Sequence, residues 1–431
     1  DCTWSGCVPS KAIIHAAAQS LLSRGDGMED MKKTHEYVHR KINEVYALEN
    51  PKTLKEKGID FRNGEVSFIS KHKILVKTSG SNEEMISSKY FIIGSGAAPR
   101  ELQLDGIDDV ERKWNYKEIW SVNELPPRLA VIGSGPIGSE LAQAFSRLGS
   151  EVTMFGSKLL RKEVDEAREI LLKTFNKEGI RCITSRPTRV SQSQEGSVNV
   201  EVEGESVQVD GILYSIGRNP VLPPGIDKVV GSHGIGKTGG LIVNDYLQTK
   251  CKNIYACGDC IEDNLQFTHY AGKQGWYCVR NAFLYGKSKG IITEKVPRVT
   301  YTDPEIGGVG IITVEEAQSR GYKKAVSIRQ NGSHIDRAVC EDANSSTFIE
   351  LILSDDRSKS AKILGGTCVG PRAGETIGEI ALIVNNGINL EKVADTIHPY
   401  PTYGFGLMQL CSNEASERFY RSATAKIAKW L

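Results

Sequence analysis

The stretch RLAVIGSGPIGSELAQAFSRLGSEVTMFG, residues 128–156, constrains this chain more than any other. Its apolar start reads as a strand, its centre as a helix and EVTMF as a second strand, a complete βαβ unit. Two parallel strands joined through a helix belong in an α/β layer architecture. Between the first strand and the helix lies Gly133-Ser134-Gly135-Pro136-Ile137-Gly138. GxGxxG alone is a weak signal, but here it follows a strand and opens a helix, the context that dinucleotide binding requires. Gly133 permits the tight turn, Gly135 lets the backbone approach a pyrophosphate, and Gly138 permits close helix packing. The helix N-terminus adds N–H groups and a partial positive charge. The competing reading is a glycine-rich loop that binds nothing.

The same unit bears on the choice of nucleotide. Binders of NAD usually carry Asp or Glu about 20 residues past the first glycine, to hold the ribose 2′-hydroxyl. Here Gly156 stands 23 residues after Gly133, followed by Ser157 and Lys158, with Arg161 nearby. A missing carboxylate and nearby cations favour a 2′-phosphate, hence NADPH over NADH. The plain alternative is that Lys158 and Arg161 are solvated surface charges.

Composition narrows the function classes. The 431 residues carry 54 basic and 53 acidic side chains, a net charge of +1. Nothing in that balance points to nucleic acid or to an anionic membrane surface. There is no apolar run long enough for a transmembrane helix, and the length suits several domains. That composition and the lack of such a run make a soluble protein the expectation; no targeting segment is recognisable, which is uninformative in a chain that does not begin with Met, and the compartment, cytoplasmic or organellar, stays open.

Ten cysteines are too few for a disulfide scaffold in a chain this long. Most stand singly in apolar surroundings, Cys182 and Cys278 among them, and read as small core hydrophobes. Cys2 and Cys7 are spaced CxxxxC, and a turn-like start passes into an Ala-rich helix whose first turn carries Cys7. A thiolate there gains from the helix dipole. A structural zinc half-site has closer ligands and needs a second pair, and no such partner is evident. Spacing alone leaves the redox role undecided. Cys257-Gly258-Asp259-Cys260 is a CxxC that by spacing could be a redox pair or half a metal site, but it ends the strand-like NIYA, a setting in which Asp259 suits a ligand hydroxyl and the two cysteines read as packing residues. His398, among prolines, reads as structural. Elsewhere GEVSFI and KILVKT alternate like a hairpin, and FIIGSG is a buried strand entering a turn with Ser95 and Gly96. Residues 121–128 look like a linker, residues 164–180 like a helix, and a last domain opens near residue 293.

Taken in order, CTWSGCVPSK, FIIGSGAAP, VIGSGPIGSELAQAFSRLG, SIGRNP, NIYACGD and VTYTDPEIGGVG resemble the class I pyridine nucleotide–disulfide oxidoreductases. That family includes dihydrolipoyl dehydrogenase, glutathione reductase and mercuric reductase, and the resemblance spans essentially the whole chain. It implies an α/β fold with two Rossmann-like dinucleotide-binding domains, for FAD and NAD(P), and a C-terminal α+β dimerisation domain, hence a homodimer. The implied boundaries are 1–127 and 246–292 for FAD, 128–245 for NAD(P) and 293–431 for dimerisation. Cys2 is implied to be the interchange thiol that meets the substrate, and Cys7 the flavin-proximal thiol of the same redox disulfide. Lys11 is implied to lie beside the flavin and to pair with Glu140, which stands in the family's GxGxxGxE position. Ser95, Gly96 and Gly217 fall in cofactor-binding blocks, and Asp259 is implied to bind the FAD ribityl chain.

The sequence departs from the family in three places. The family's first GxGxxG turn, expected about 30 or more residues before the cysteines, is absent, so the sequence reads as truncated at its N-terminus. The HxHPTxxE acid–base motif is replaced by HPYPTYGF, which puts Tyr400 and Phe405 where the family has His and Glu. Mercuric reductases also carry Tyr at the first of these places, but they end in a cysteine pair, whereas Cys411 is the last cysteine here. The leading expectation is an enzyme that passes electrons from NADPH through FAD and Cys2–Cys7 to a small-molecule or metal-ion acceptor near Tyr400, in the manner of mercuric reductase. The alternatives are a dihydrolipoyl dehydrogenase-like or glutathione reductase-like enzyme, and a non-enzymatic flavoprotein scaffold. The intact cysteine pair argues against the scaffold.

Overall fold

The computed structural model describes residues 2–23, 27–78, 82–284, 288–354 and 361–421. The chain packs as two compact units, one of residues 1–125, 188–201 and 211–293, the other of residues 126–187, 202–210 and 294–431.

In the first unit, Cys2–Ser5 is a single helical turn and Cys7–Ser23 a 17-residue helix. The second was expected to carry Cys7 in its first turn and does, beginning at that residue. The first was expected as a turn and is helical, with Trp120 Nε1 donating to the Ser5 carbonyl at 3.0 Å and so satisfying a terminal acceptor. The helix Gly27–Tyr46 packs on Cys7–Ser23 and buries Met31, Val38 and Ile42, which fall on one helical face. The expected hairpin is present, with Glu65–Ser70 antiparallel to Lys73–Lys77. A third strand, Glu83–Ser87, extends it. Sequence reading did not find that strand, because four of its five residues are exposed and it shows no apolar alternation. Two further pairings join distant blocks of sequence: Phe91–Ile93 runs parallel to Ile254–Ala256, and Ala97–Pro99 antiparallel to Arg218–Pro220. Phe68, Ile93, Leu241, Leu247, Ile254 and Cys278 share the core beneath them.

In the second unit, Arg128–Ile132, Glu151–Phe155 and Arg181–Ile183 form parallel neighbours, connected by the helices Pro136–Arg147 and Asp165–Lys177. Leu129, Val131, Met154 and Phe155 are at most 2% exposed, as continuous apolar strands require when both faces are covered. Burial of each large side chain contributes about 1.5–3 kcal/mol. An antiparallel sheet follows, in the order Arg298–Thr300, Glu305–Gly310, Ile363–Gly370, Phe348–Leu353, Val326–Asn331. Its central strand Ile363–Gly370 is wholly buried, and the helix Ala373–Asn386 packs on it through Ile377 and Ile380. Polar contacts tie the dinucleotide segment to this sheet: Arg298 Nε to Glu163 at 2.7 Å, Gln143 Nε2 to the Asp303 carbonyl at 2.8 Å, and Glu140 accepting from Tyr301 N at 2.9 Å. Among the described residues no helix is long and apolar enough to cross a membrane.

Candidate active site

Cys2 and Cys7 are joined as a disulfide with their Cα atoms 4.9 Å apart, inside the ordinary disulfide range. Each stands at the start of its own helix, and Gly6 separates the two. Cys7 is exposed and Cys2 half-buried. Sequence reading missed Thr268, the first residue of the helix Thr268–Phe283. Its hydroxyl lies 2.9 Å from Cys2 Sγ and 3.6 Å from Cys7 Sγ. A hydroxyl at that distance can donate to a thiolate, and the 17-residue helix opposite adds its dipole. Lys11 sits one helical turn past Cys7, where its ammonium donates to Ser10 Oγ at 3.3 Å.

The blocks around Ser95, Gly96, Gly217 and Asp259 converge in the same unit. Ser95 Oγ donates to the Val221 carbonyl at 2.5 Å, Val221 N donates to the Gly96 carbonyl at 2.9 Å, and Arg100 N donates to the Gly217 carbonyl at 2.9 Å. Asp259 lies in the 3-10 turn Gly258–Cys260 just past the strand Ile254–Ala256 and pairs with Arg218 Nη1 at 2.8 Å. Burial pushes the Asp259 carboxyl up, and the Arg218 guanidinium pulls it part of the way back. Arg218 was not singled out in the sequence, although it directly follows Gly217. A partly desolvated carboxylate just past a strand end, in the same unit as backbone at Gly96 that borders open space, fits a polyhydroxyl cofactor chain.

In the second unit, Ser134, Gly156, Lys158, Asp165, Arg168 and Thr184 help line a cavity of about 210 Å³ beyond the strands Glu151–Phe155 and Arg181–Ile183. The helix Pro136–Arg147 starts with Pro at its first turn and has no side-chain cap, which leaves N–H groups for a ligand. A Cβ added at Gly135 would meet nothing within 4 Å. These features fit a dinucleotide pyrophosphate. At Gly156 an added Cβ would approach Ser134 Oγ within 2.3 Å. Packing therefore demands glycine there whatever the nucleotide, a reason sequence reading lacked. Lys158 lines the cavity and pairs with Asp165 at 3.4 Å. Arg161 is not among the lining residues; Arg168 is, and it also pairs with Asp165. Cys182 is half-buried and borders the same cavity, so its reading as a core residue is corrected. Cys278 is fully buried, as expected.

Near the C-terminus, Tyr400 is 63% exposed and donates to Asp336 Oδ2 at 2.6 Å. That hydrogen bond and the carboxylate charge push its phenol above the usual value. Phe405 stacks edge-on against it, with ring centroids 5.1 Å apart. His398 pairs with Glu379, a partner the sequence did not reveal.

A family model described as pyridine nucleotide-disulphide oxidoreductase matches residues 1–275, and the dimerisation-domain model of the same description matches residues 296–409. The chain is 30% identical to a mercuric reductase of Bacillus cereus over 94% of its own length, and it spans 64% of that relative. It is 28% identical to a dihydrolipoyl dehydrogenase of Haloferax volcanii, covering 97% of this chain and 90% of the other. Among solved structures, LpdA from Mycobacterium tuberculosis superposes with a TM-score of 0.84 at 25% identity, over 96% of this chain and 90% of that one.

Proposed function

Since the chain belongs to the pyridine nucleotide–disulphide oxidoreductase family, enzymes that bind FAD and use NAD(P)H, we propose that it carries electrons from NADPH through FAD to Cys2–Cys7 and on to a soft acceptor, as a mercuric reductase-like enzyme. The observation that carries this reading is the Cys2–Cys7 disulfide at a helix N-terminus with the Thr268 hydroxyl against Cys2. Bound FAD supplies two-electron transfer between a nicotinamide and a disulfide. The chain's own residues do the rest. Ser95, Gly96, Gly217 and Asp259 would hold the flavin cofactor, with Lys11 beside it. Gly133, Gly135 and Gly138 would bring helix N–H groups to the nucleotide pyrophosphate, and Lys158 with Arg168 would meet a 2′-phosphate. Cys7 would exchange electrons with the flavin, and Cys2 would meet the acceptor.

The domain division that accompanies this reading is 1–127 with 246–292, then 128–245 and 293–431, with a homodimer formed through the last. Tyr400 favours an acceptor that needs little proton transfer. Its hydroxyl is already committed to Asp336, and Phe405 supplies no carboxylate. A metal ion held by thiolates or a quinone meets that requirement better than a small disulfide does.

The test is anaerobic titration of the FAD-loaded protein with NADPH, followed by turnover on a panel of acceptors. Two electrons are expected to open the disulfide and expose two thiols. Cys7→Ser should abolish the long-wavelength absorbance of a thiolate beside oxidised flavin. Cys2→Ala should keep flavin reduction and lose turnover. Unchanged turnover in both variants overturns the redox reading.

A further inference from the structure

Ser134 stands between the first two glycines of the turn Gly133–Gly138, at a position where the glycine pattern prescribes no residue type. Its side chain lies against Gly156, just past the end of the strand Glu151–Phe155. A Cβ built on Gly156 would stand 2.7 Å from Ser134 Cβ and 3.1 Å from Ser134 N, and nearer still to Ser134 Oγ. Rotation about χ1 can move the hydroxyl away, but Cβ is fixed by the backbone, so no rotamer of Ser134 admits a side chain at position 156. Both backbones are pinned as well. Gly133 N donates to the Phe155 carbonyl at 2.9 Å, and Gly156 N donates to the Ile183 carbonyl at 3.1 Å. Ser134 also shapes the segment that follows Gly156. Its hydroxyl donates to the Lys158 carbonyl at 3.0 Å, and its own carbonyl accepts from Leu160 N at 2.8 Å. Leu160 is held at a φ of +43°, left-handed backbone that a leucine adopts only where its surroundings impose it. Ser134 and Lys158 line the same cavity.

We propose that Ser134 is the residue that sets nucleotide choice, a proposal that rests on reading this cavity as the NADPH site. It acts in two ways. Its Cβ excludes every side chain from position 156, and with it the Asp or Glu that would accept hydrogen bonds from the ribose hydroxyls of NADH and repel a 2′-phosphate. Its hydroxyl and carbonyl fix the loop from Gly156 to Leu160, which presents Lys158 to the cavity. The absent carboxylate is thus a consequence of Ser134 rather than an independent choice at position 156. Replacing Gly156 alone cannot convert the protein to NADH, because the new side chain has no room. Ser134→Gly removes Oγ and Cβ together and leaves the backbone N at 3.1 Å, a contact that a small shift relieves. Ser134→Ala removes the hydroxyl and keeps the obstructing Cβ at 2.7 Å. The glycine and alanine variants at position 134 therefore separate the steric cause from loss of the hydroxyl.

The experiment measures the unfolding midpoint of the FAD-loaded protein without nucleotide, and the Kd of NADP⁺ and of NAD⁺ by titration calorimetry. Gly156→Ala should lower the midpoint by several degrees, as overpacking does. Ser134→Gly with Gly156→Ala should recover it, and Ser134→Ala with Gly156→Ala should not. Ser134→Gly with Gly156→Asp should weaken NADP⁺ by about tenfold or more and strengthen NAD⁺. Gly156→Asp alone, and Ser134→Ala with Gly156→Asp, should bind both nucleotides poorly. A Gly156→Ala protein as stable as the parent overturns the proposal, because position 156 then has room. Tightened NAD⁺ binding in Gly156→Asp with Ser134 in place overturns it as well. Should a Gly156→Asp variant fail to fold, the alanine series still decides through its midpoints. A parent protein that prefers NAD⁺ marks the other failure, that of the NADPH reading, and overturns the role in nucleotide choice whatever the midpoints show.

Discussion

His398 and Glu379 are locked as a proton-sharing pair, with Nε2 2.6 Å from Oε1 of the carboxylate and Nδ1 2.7 Å from the Thr396 carbonyl. A carbonyl can only accept, and so can an ionised carboxylate, so the geometry asks both ring nitrogens to carry hydrogen. Burial alone would lower the imidazole's affinity for its proton. Glu379 and the Thr396 carbonyl outweigh it, and the net shift is upward from 6.5. The pair fastens the segment that carries Tyr400 to the helix Ala373–Asn386. A raised folded-state value means that the stabilisation is complete below about pH 6.5 and is lost as pH climbs through the folded value. The unfolding midpoint is therefore expected to drop as pH rises from 6.5 through the raised folded value. His398→Gln should lower the midpoint at pH 6 and flatten that slope. A slope unchanged in the variant assigns the pH dependence elsewhere.

Thr268 should matter to the thiol chemistry through one hydrogen bond. A hydrogen bond to a charged group contributes about 1.5–3 kcal/mol, which is about tenfold or more in an equilibrium. Thr268→Val is expected to cut the alkylation rate of reduced Cys2 at pH 7 by about tenfold. Thr268→Ser should keep most of it. Equal rates in Val and Ser variants would assign Thr268 to packing alone.

Nucleotide choice should respond to Asp165 and Lys158 in opposite directions. Lys158→Ala removes a cation from the cavity and should raise KM for NADPH by about tenfold, the size of one lost charge contact, with little change for NADH. Asp165→Asn frees Lys158 and Arg168 from their shared carboxylate and should lower KM for NADPH. Steady-state kcat/KM with both nucleotides decides. A wild-type preference for NADH would sink the NADPH reading, whereas a variant effect of the wrong sign would sink only the role of Asp165.

Tyr400 should shape the acceptor reaction. Tyr400→Phe is expected to slow turnover of the true acceptor more than flavin reduction by NADPH. The unsubstituted enzyme should act weakly on dihydrolipoamide and oxidised glutathione. A small disulfide turned over at a kcat on the order of 100 s⁻¹ would contradict that assignment.

The sequence alone determined the elements whose signal is local. RLAVI, the glycine turn and the helix after it follow each other within one βαβ unit, and their apolar periodicity and fixed glycines specify strand, turn and helix without outside help. The CxxxxC spacing of Cys2 and Cys7 at a helix start marked the pair but left its role open, and only the family resemblance implied the disulfide. Tertiary structure decided what those elements face. Thr268 is 266 residues from Cys2 in the chain, and no periodicity links a threonine at one helix start to a cysteine at another. Arg168 lines the cavity beside Ser134 and Arg161 does not, because the helix Asp165–Lys177 turns that face toward it. Gly156 looked like a missing carboxylate until Ser134 was seen to fill the space. His398 looked solitary until Glu379 was brought against it. Local pattern encodes the conformation of a segment; the partner of a side chain depends on packing between segments far apart in sequence, which local pattern does not encode.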